Sequence, residues 1–110
     1  MLRSSSAPEI VRRYFDLAAQ PDSDAYFALF ADDATVEDEG TEYHGLPAIR
    51  EWRASVPLVN YTITNIDQTP DALVVTTIIS GDFPGSPVTD LKYRFEDHDN
   101  HHVRVLRIRP

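Results

Sequence analysis

Asp38 occupies the position in this sequence that most favours a chemical role. It ends an alternating run, and alternate side chains of a strand lie on the same face of a sheet. Ala34 and Val36 share a face with Asp38, which predicts that Asp38 points toward the core. Glu37 and Glu39 alternate with them, and we expect both to lie solvated on the outer face. Asp38 either ends a short strand in solvent or serves as a general base in a largely apolar site.

Several aromatic side chains could form an apolar site around Asp38. Tyr14 belongs to the apolar stripe of the first predicted helix, where an aromatic residue usually fills the core. Its hydroxyl needs a polar partner once it is buried, so Tyr14 is also a candidate site residue. Further candidates for lining a ligand pocket are Phe27, Phe30, Trp52, Tyr61 and Phe83.

The histidine-rich segment 97–102 has the composition of a metal site but not its spacing. It reads Asp-His-Asp-Asn-His-His, is rich in turn formers, and matches no known ligand pattern. We therefore expect a hairpin turn there, with no metal and no cofactor. The chain has no cysteine, which excludes disulfide bonds, thiolate catalysis and thiolate metal ligands.

The length and charge of the chain exclude several classes of protein. Its 110 residues predict one domain, spanning 1–110. Eighteen acidic and ten basic residues give a net charge of −8, which repels phosphate backbones, so nucleic acid is not an expected partner. No apolar run is long enough to span a membrane, and residues 1–6 lack the apolar core of a signal peptide. These features predict a cytoplasmic protein.

The periodicity of apolar residues predicts three helices, the third of them between the first two strands. Helical spacing covers residues 7–20, 24–31 and 46–55. Strands are predicted at 34–38, 58–68, 72–82, 88–96 and 102–109, with a turn at 39–42 and a loop at 83–87. This order is typical of an α+β fold, in which helices pack on one face of a strongly curved, mostly antiparallel sheet. Such a sheet leaves a conical cavity, the default site for a small molecule.

Three segments of the sequence resemble the NTF2-like superfamily. They are RYFDL at 13–17, LFADDATVED at 29–38 and HGLPAIREW at 44–52. Within the superfamily they are similar to SnoaL-like polyketide cyclases and, most closely, to Δ5-3-ketosteroid isomerases. The resemblance implies a cone-shaped α+β barrel, with three N-terminal helices packed on the sheet and a ligand pocket between them. It also implies a homodimer formed through the sheet.

The resemblance further implies catalytic roles for two residues. Asp38 matches the aspartate that takes a proton beside a ketone in these isomerases and returns it farther along the conjugated system. Tyr14 matches the tyrosine that donates a hydrogen bond to the developing enolate oxygen. In the isomerases, tyrosines of the second and third helices support that tyrosine. This sequence has Phe30 and Arg53 at the comparable positions, so the supporting network is expected to be missing.

The isomerases carry a second, protonated acid, and Asp90 is the nearest candidate for it here. Its parity along the strand is opposite to that of Leu91, Tyr93 and Phe95, which form the inward row. Only a β-bulge, which adds one residue to a strand, would turn Asp90 inward. Removing one donor of an oxyanion site typically costs ~10²–10³ in rate, so the predicted machinery is incomplete without Asp90.

The sequence thus leads to two functional hypotheses. The first is a cofactor-free enzyme that moves a proton on an apolar carbonyl compound, with Asp38 as base and Tyr14 as oxyanion donor. Isomerisation of a steroid-like enone is its sharpest form, and cyclase or dehydratase chemistry follows the same logic. The alternative is a ligand-binding or dimerisation module without turnover, because folds of this type serve unrelated functions.

Overall fold

The computed structural model describes residues 8–21, 24–98 and 102–110. Three helices pack on a six-stranded sheet, which confirms the predicted α+β class. The helices are α1 (Glu9–Ala18), α2 (Asp24–Phe27) and α3 (Gly45–Ala54). The strands are β1 (Phe30–Asp38), β2 (Thr41–His44), β3 (Asn60–Gln68), β4 (Leu73–Ser80), β5 (Val88–His98) and β6 (Val103–Arg109). None of these helices is long and apolar enough to cross a membrane.

The sheet is mostly antiparallel, as predicted, and it is open. The strands follow the order β2-β1-β6-β5-β4-β3, so β2 and β3 form its two edges. Strands β3 to β6 pair as successive antiparallel neighbours. Strands β1 and β6 pair parallel. The sheet curls around the helices without closing, and the expected cone is an open curl rather than a complete barrel.

Helix α1 covers the concave face of the sheet with an apolar stripe. The residues that it buries are Ile10, Val11, Tyr14, Phe15 and Ala18. Opposite them, the sheet buries alternate side chains of its inner strands, such as Val75 and Phe95. Apolar burial at roughly 25 cal/mol per Å² makes this contact the main support of the fold. The helix begins at Glu9 rather than at the predicted residue 7, which lies outside the described residues.

Helix α2 is shorter than predicted because β1 begins earlier. The predicted helix 24–31 ends at Phe27, and the chain enters β1 at Phe30. Phe30 pairs with Val103 of β6, and the Val103 amide donates to the Leu29 carbonyl at 2.6 Å. A buried backbone carbonyl needs a hydrogen-bond donor. The donor to the Leu29 carbonyl is an amide of β6, so the helix ends before Leu29.

Strand β2 was not predicted. It pairs antiparallel with β1, from Thr41 opposite Asp38 to His44 opposite Thr35. The connection has only two residues, Glu39 and Gly40, whose φ angles are 52° and 88°. Positive φ at both central residues is the geometry of a tight hairpin. The predicted four-residue turn at 39–42 was therefore wrong, because its second half belongs to β2.

Glu37 faces away from the core, as predicted, but it is buried rather than solvated. Its side chain is 8% exposed. Arg107, its partner in the β1–β6 register, donates to Oε1 at 2.6 Å. Arg109 donates to both carboxylate oxygens, at 2.6 and 2.9 Å. Hydrogen bonds from Arg109 and Arg107 lower the pKa of Glu37 to about 2. Arg107 also donates to Glu96 at 2.8 Å, so the outer face of the sheet carries an ion cluster.

Glu37 should make the free energy of unfolding depend on pH in the acid range. Its pKa of about 2 in the folded protein lies below the ordinary value of 4.5. The stabilisation is therefore fully present above pH 4.5 and is lost as pH falls toward 2. We expect Glu37→Gln to lower the free energy of unfolding at neutral pH and to flatten its decline in this window. Urea denaturation at a series of pH values measures both effects.

The matched control for this experiment is Glu51→Gln. Glu51 lies exposed on α3, outside the ion cluster, and its substitution should leave the pH profile of the wild type unchanged. If unfolding of Glu37→Gln depended on pH as steeply as that of the wild type, the role of Glu37 in acid stability would be refuted.

Candidate functional site

A cavity of about 280 Å³ lies between the concave face of the sheet and helices α1 and α3. Five of the predicted site residues line it, namely Tyr14, Asp38, Trp52, Tyr61 and Phe83. Strands β4, β5 and β6 supply a largely apolar wall, which consists of Ile79, Val88, Leu91, Tyr93 and Ile108. The fold therefore brings two carboxylates, several hydroxyls and an apolar wall to one cavity, which is partly open to solvent.

Asp38 lies half-buried at the end of β1, where it lines the cavity. Pairing with Thr41 on one side and Ile108 on the other fixes this end of the strand. The indole Nε1 of Trp52, on α3, donates a hydrogen bond to Asp38 Oδ2 at 3.0 Å. Within the described residues, Asp38 Oδ1 has no hydrogen-bond partner. The hydrogen bond from Trp52 to Oδ2 thus orients the carboxylate, and Oδ1 can accept a proton from a ligand.

Tyr14 is buried against the cavity and paired with a second tyrosine. Its hydroxyl oxygen lies 3.2 Å from that of Tyr26, on α2. Burial raises the pKa of Tyr14 well above its ordinary value, and the neighbouring Tyr26, Tyr93 and Tyr61 raise it further. Tyr14 therefore keeps its proton at neutral pH and can donate it in a hydrogen bond. The expectation of an unsupported Tyr14 was wrong, since Tyr26 takes the supporting role that Phe30 and Arg53 do not offer.

Arg53 lies at the base of the cavity, where it ties α3 to α1. It is 2% exposed, and its Nη2 donates to the Ala18 carbonyl at 2.7 Å. A cation is stabilised there because the carbonyl end of a helix carries partial negative charge. The guanidinium carbon also lies 4.5 Å from the ring centroid of Tyr26. Arg53 therefore helps to hold the ring of Tyr26, and through it the Tyr14–Tyr26 pair, in place.

Asp90 does not reach the cavity, although the bulge that could have turned it inward exists. In the β4–β5 register Leu91 lies opposite Thr77 and Val88 opposite Ile79. Residues 89 and 90 therefore face the single residue between those partners, which is a bulge. Asp90 has φ of 61° and is exposed, whereas Val88 and Leu91 line the cavity. The bulge turns Val88 to the same side of the sheet as Leu91 and leaves Asp90 on the outside.

Phe27 and Phe30 are core residues rather than cavity-lining ones. Phe27 is 6% exposed, and the guanidinium carbon of Arg50 lies 4.3 Å from its ring centroid. Phe30 is 3% exposed and packs against Tyr26 and Tyr14, with ring centroids 5.5 and 6.3 Å apart. Both phenylalanines pack against Tyr26, and neither belongs to the lining of the cavity. Their predicted contact with a ligand is therefore not supported by the geometry.

Ten of the fifteen cavity-lining residues were not predicted as site residues, and two of these, Tyr93 and Glu39, carry groups that can take part in chemistry. Tyr93 belongs to the inward row of β5, and its row was predicted correctly without a role for its hydroxyl. Glu39 was expected on the outer face, but its positive φ ends the alternation after Asp38 and brings it to the edge of the cavity. The alternation could have identified Tyr93, whereas Glu39 depends on the turn geometry.

The sequence of this chain matches the family described as SnoaL-like domain over residues 11–109. The chain is a SnoaL-like protein. Among solved structures, a candidate polyketide cyclase from Sinorhizobium meliloti is 36% identical to it, with 98% of this chain and 100% of that chain covered and a TM-score of 0.84. The predicted NTF2-like relationship is thereby confirmed. No protein of curated function matches the sequence significantly.

Two further structures share the fold of this SnoaL-like protein. One is a hypothetical protein with a ketosteroid isomerase-like fold from Catenulispora acidiphila, in complex with trimethylamine. It is 21% identical, with 96% of this chain and 87% of that chain covered and a TM-score of 0.78. The other is a candidate ketosteroid isomerase from Kribbella flavida, 17% identical, with coverages of 90% and 73% and a TM-score of 0.72. At these identities the likeness concerns the fold alone.

The Tyr14–Tyr26 hydrogen bond of this SnoaL-like protein should be measurable as a coupling. Tyr14→Phe and Tyr26→Phe each remove one of the two buried hydroxyls that form this hydrogen bond. We expect each variant to lower the free energy of unfolding by about 1–3 kcal/mol. The double variant should cost less than the sum, with a coupling of about 1 kcal/mol. Urea denaturation of the four proteins measures this cycle.

Tyr43→Phe serves as the control for these substitutions, because Tyr43 is a half-buried tyrosine outside the pair. The free energy of unfolding of Tyr43→Phe should change less than that of Tyr14→Phe or Tyr26→Phe. Strict additivity of the Tyr14→Phe and Tyr26→Phe losses would show that the two hydroxyls do not interact in solution.

Proposed function

We propose that the cavity binds a compact, apolar compound carrying a ketone, and that Asp38 and Tyr14 catalyse proton transfer on it. One observation carries the proposal. Asp38, oriented by Trp52, and Tyr14, protonated and buried, line the same cavity. A base and a hydrogen-bond donor that face one ligand are the groups that abstraction of a proton beside a carbonyl requires.

The proposed reaction converts a β,γ-unsaturated ketone into its conjugated isomer. The Asp38 carboxylate takes a proton from the carbon between the carbonyl and the double bond. The electron pair of the broken C–H bond forms a new C=C bond, and the carbonyl oxygen gains negative charge. Tyr14 stabilises this oxyanion by donating a hydrogen bond. The protonated Asp38 then returns the proton to the γ-carbon, so the reaction needs no redox partner.

The surroundings of the site favour this chemistry. The wall formed by Ile79, Leu91 and Ile108 excludes water from one side of a ligand, and electrostatic interactions are stronger in such an environment. The volume of about 280 Å³ lies just below the range of typical ligand pockets, which are roughly 300–1,000 Å³. Because the cavity is also partly open to solvent, the site suits a compact compound that remains partly exposed.

Cyclase or dehydratase chemistry is a variant of the same proposal. Both reactions begin when a base removes a proton beside a carbonyl and an enolate forms. The description of the Sinorhizobium meliloti relative as a candidate polyketide cyclase supports substrates with several carbonyl groups. The roles of Asp38 and Tyr14 are unchanged in these reactions, and only the fate of the enolate differs.

Substitution of the base provides the direct test. We expect the wild type to isomerise a β,γ-unsaturated ketone such as 5-androstene-3,17-dione, followed by the absorbance of the conjugated product. Asp38→Asn should reduce kcat by ~10²–10⁴, the usual contribution of a general base. Asp90→Asn is the matched control, because Asp90 is an exposed aspartate outside the cavity whose positive φ also suits asparagine. Its kcat should equal that of the wild type.

Two results would refute this proposal. One is equal kcat in the wild type and Asp38→Asn. The other is the absence of turnover by the wild type across a panel of mono- and polyketones, while circular dichroism shows that the protein is folded.

A second candidate function, binding without turnover, is favoured by the aromatic lining of the cavity. Trp52, Tyr61 and Phe83 face the cavity together with the carboxylates of Asp38 and Glu39. Aromatic faces and carboxylates are the groups that bind small organic cations. The trimethylamine found with the Catenulispora acidiphila structure supports an amine as the ligand to examine.

Calorimetric titration with trimethylammonium distinguishes this candidate from the first. If the protein is an amine-binding module, the wild type binds the cation, Asp38→Asn weakens the binding by ~10-fold or more, and Asp90→Asn leaves it unchanged. Wild-type protein that isomerises ketones and shows no heat of binding with trimethylammonium would eliminate the amine.

The predicted homodimer through the sheet, the cytoplasmic location and the lack of a cofactor remain proposals. The outer face of the sheet is the surface proposed for dimerisation. The ion cluster of Glu37, Arg107 and Arg109 lies on that face, so a partner there would meet paired charges rather than a bare apolar patch.

A further inference from the structure

The proposed function assigns one donor to the substrate oxygen, Tyr14, and the predicted second donor, Asp90, is not part of the cavity lining. Asp90 lies outside the cavity, and Leu91 occupies the inward position beside it. The next inward residue of the same strand is Tyr93, two positions farther along β5. Tyr93 also lines the cavity, so this wall of the site carries a phenol where a carboxylic acid was expected.

Tyr93 is held in place by both the sheet and the core. It pairs with Val75 of β4 on one side and with Ile108 of β6 on the other. Its ring packs edge-to-face against Phe15 of α1, with centroids 5.1 Å apart, and the residue is 5% exposed. Groups on paired strands are held more accurately than groups on loops, so the Tyr93 hydroxyl is a preorganised donor.

The ring of Tyr93 lies beside the rings of two other tyrosines that line the cavity. The ring centroids of Tyr14 and Tyr61 are 6.0 and 6.1 Å from that of Tyr93. Burial raises the pKa of Tyr93 well above its ordinary value, and Tyr61, Tyr26 and Asp38 raise it further. Tyr93 therefore stays protonated at neutral pH and can donate a hydrogen bond.

We infer that Tyr93 is a second hydrogen-bond donor to the substrate oxygen, beside Tyr14, and that Tyr61 positions its hydroxyl. This inference rests on the proposed proton transfer and assigns its oxyanion site to two neutral phenols. The substrate would place its carbonyl oxygen between α1 and β5 and its acidic carbon toward Asp38. When Asp38 takes the proton, the charge on the oxygen is stabilised by both phenols, and neither releases its own proton.

Removal of single hydroxyls tests the role of Tyr93 in turnover. With the β,γ-unsaturated ketone, Tyr93→Phe should lower kcat by ~10²-fold and leave KM nearly unchanged, since the lost interaction is strongest in the transition state. Tyr61→Phe should lower kcat less, in the same direction and again with little change in KM. Tyr43→Phe removes a hydroxyl outside the cavity and should match the wild type.

Binding of 4-nitrophenol tests the two donors without turnover, because its phenolate oxygen mimics the enolate oxygen. Asp38→Asn protein is used for this measurement, since the neutral amide does not repel the phenolate. The protein should bind the phenolate form, which is recognised by its visible absorption. Adding Tyr93→Phe should weaken the binding by ~10-fold or more. Adding Tyr61→Phe should have a smaller effect, and adding Tyr43→Phe none.

The outcomes separate this inference from the proposed function. If Tyr93→Phe keeps the wild-type kcat and the affinity for 4-nitrophenol while Asp38→Asn loses turnover, Tyr93 is not a donor and the proposed function stands. If the wild type turns over no ketone and Asp38→Asn binds no 4-nitrophenol, both are overturned. Should Tyr93→Phe fail to fold, Tyr61→Phe decides, because unchanged kcat and unchanged phenolate affinity in that variant would overturn the inference.

Discussion

The parallel pairing of β1 with β6 is the contact on which the arrangement of the site depends. It begins beside Leu29, whose carbonyl accepts from the Val103 amide, and it ends where Asp38 lies opposite Ile108. The first contact ends α2 early, so Tyr26 stays on the short helix next to Tyr14. The last contact places the carboxylate of Asp38 where the apolar wall of the cavity begins. One strand pairing therefore brings the carboxylate of Asp38 and the Tyr14–Tyr26 pair to the same region of the fold.

The same strand separates two kinds of electrostatic environment. Glu37 faces outward and is surrounded by the guanidinium groups of Arg107 and Arg109, which keep it ionised. Its neighbour Asp38 faces inward and is oriented by the neutral indole of Trp52. An indole orients a carboxylate without adding a compensating charge, whereas a guanidinium strongly favours the ionised form. Adjacent acids thus serve stability on one face and are available for chemistry on the other.

Local patterns predicted the parts of the site that depend on one strand or one helix. The alternation around Val36 placed Asp38 inward, and the helical stripe placed Tyr14 in the core. The alternation of β5 from Leu91 onward kept Asp90 out, and the bulge at residues 89 and 90 shifts the parity only before it, so that Val88 also lies inward. Long-range pairing decided the rest: the burial of Glu37 requires arginines about seventy residues away, as the sequence separation of that ion pair shows. The end of α2 at Phe27 likewise goes with the contacts that Leu29 and Phe30 make with Val103 of β6, which local patterns do not show.

The open sheet has a consequence for how relatives of this protein can diverge. A closed barrel fixes its radius through strand number and stagger, so its interior cannot widen without rebuilding the hydrogen-bond ladder. Here β2 and β3 are unpaired at their outer edges, and Tyr61 of β3 lies on the lining opposite Asp38 of β1. Small changes in curl can therefore move the wall formed by β3 relative to Asp38 while every ladder hydrogen bond persists. Relatives can in this way differ in the width of the cavity while Asp38 and Tyr14 keep their places on β1 and α1.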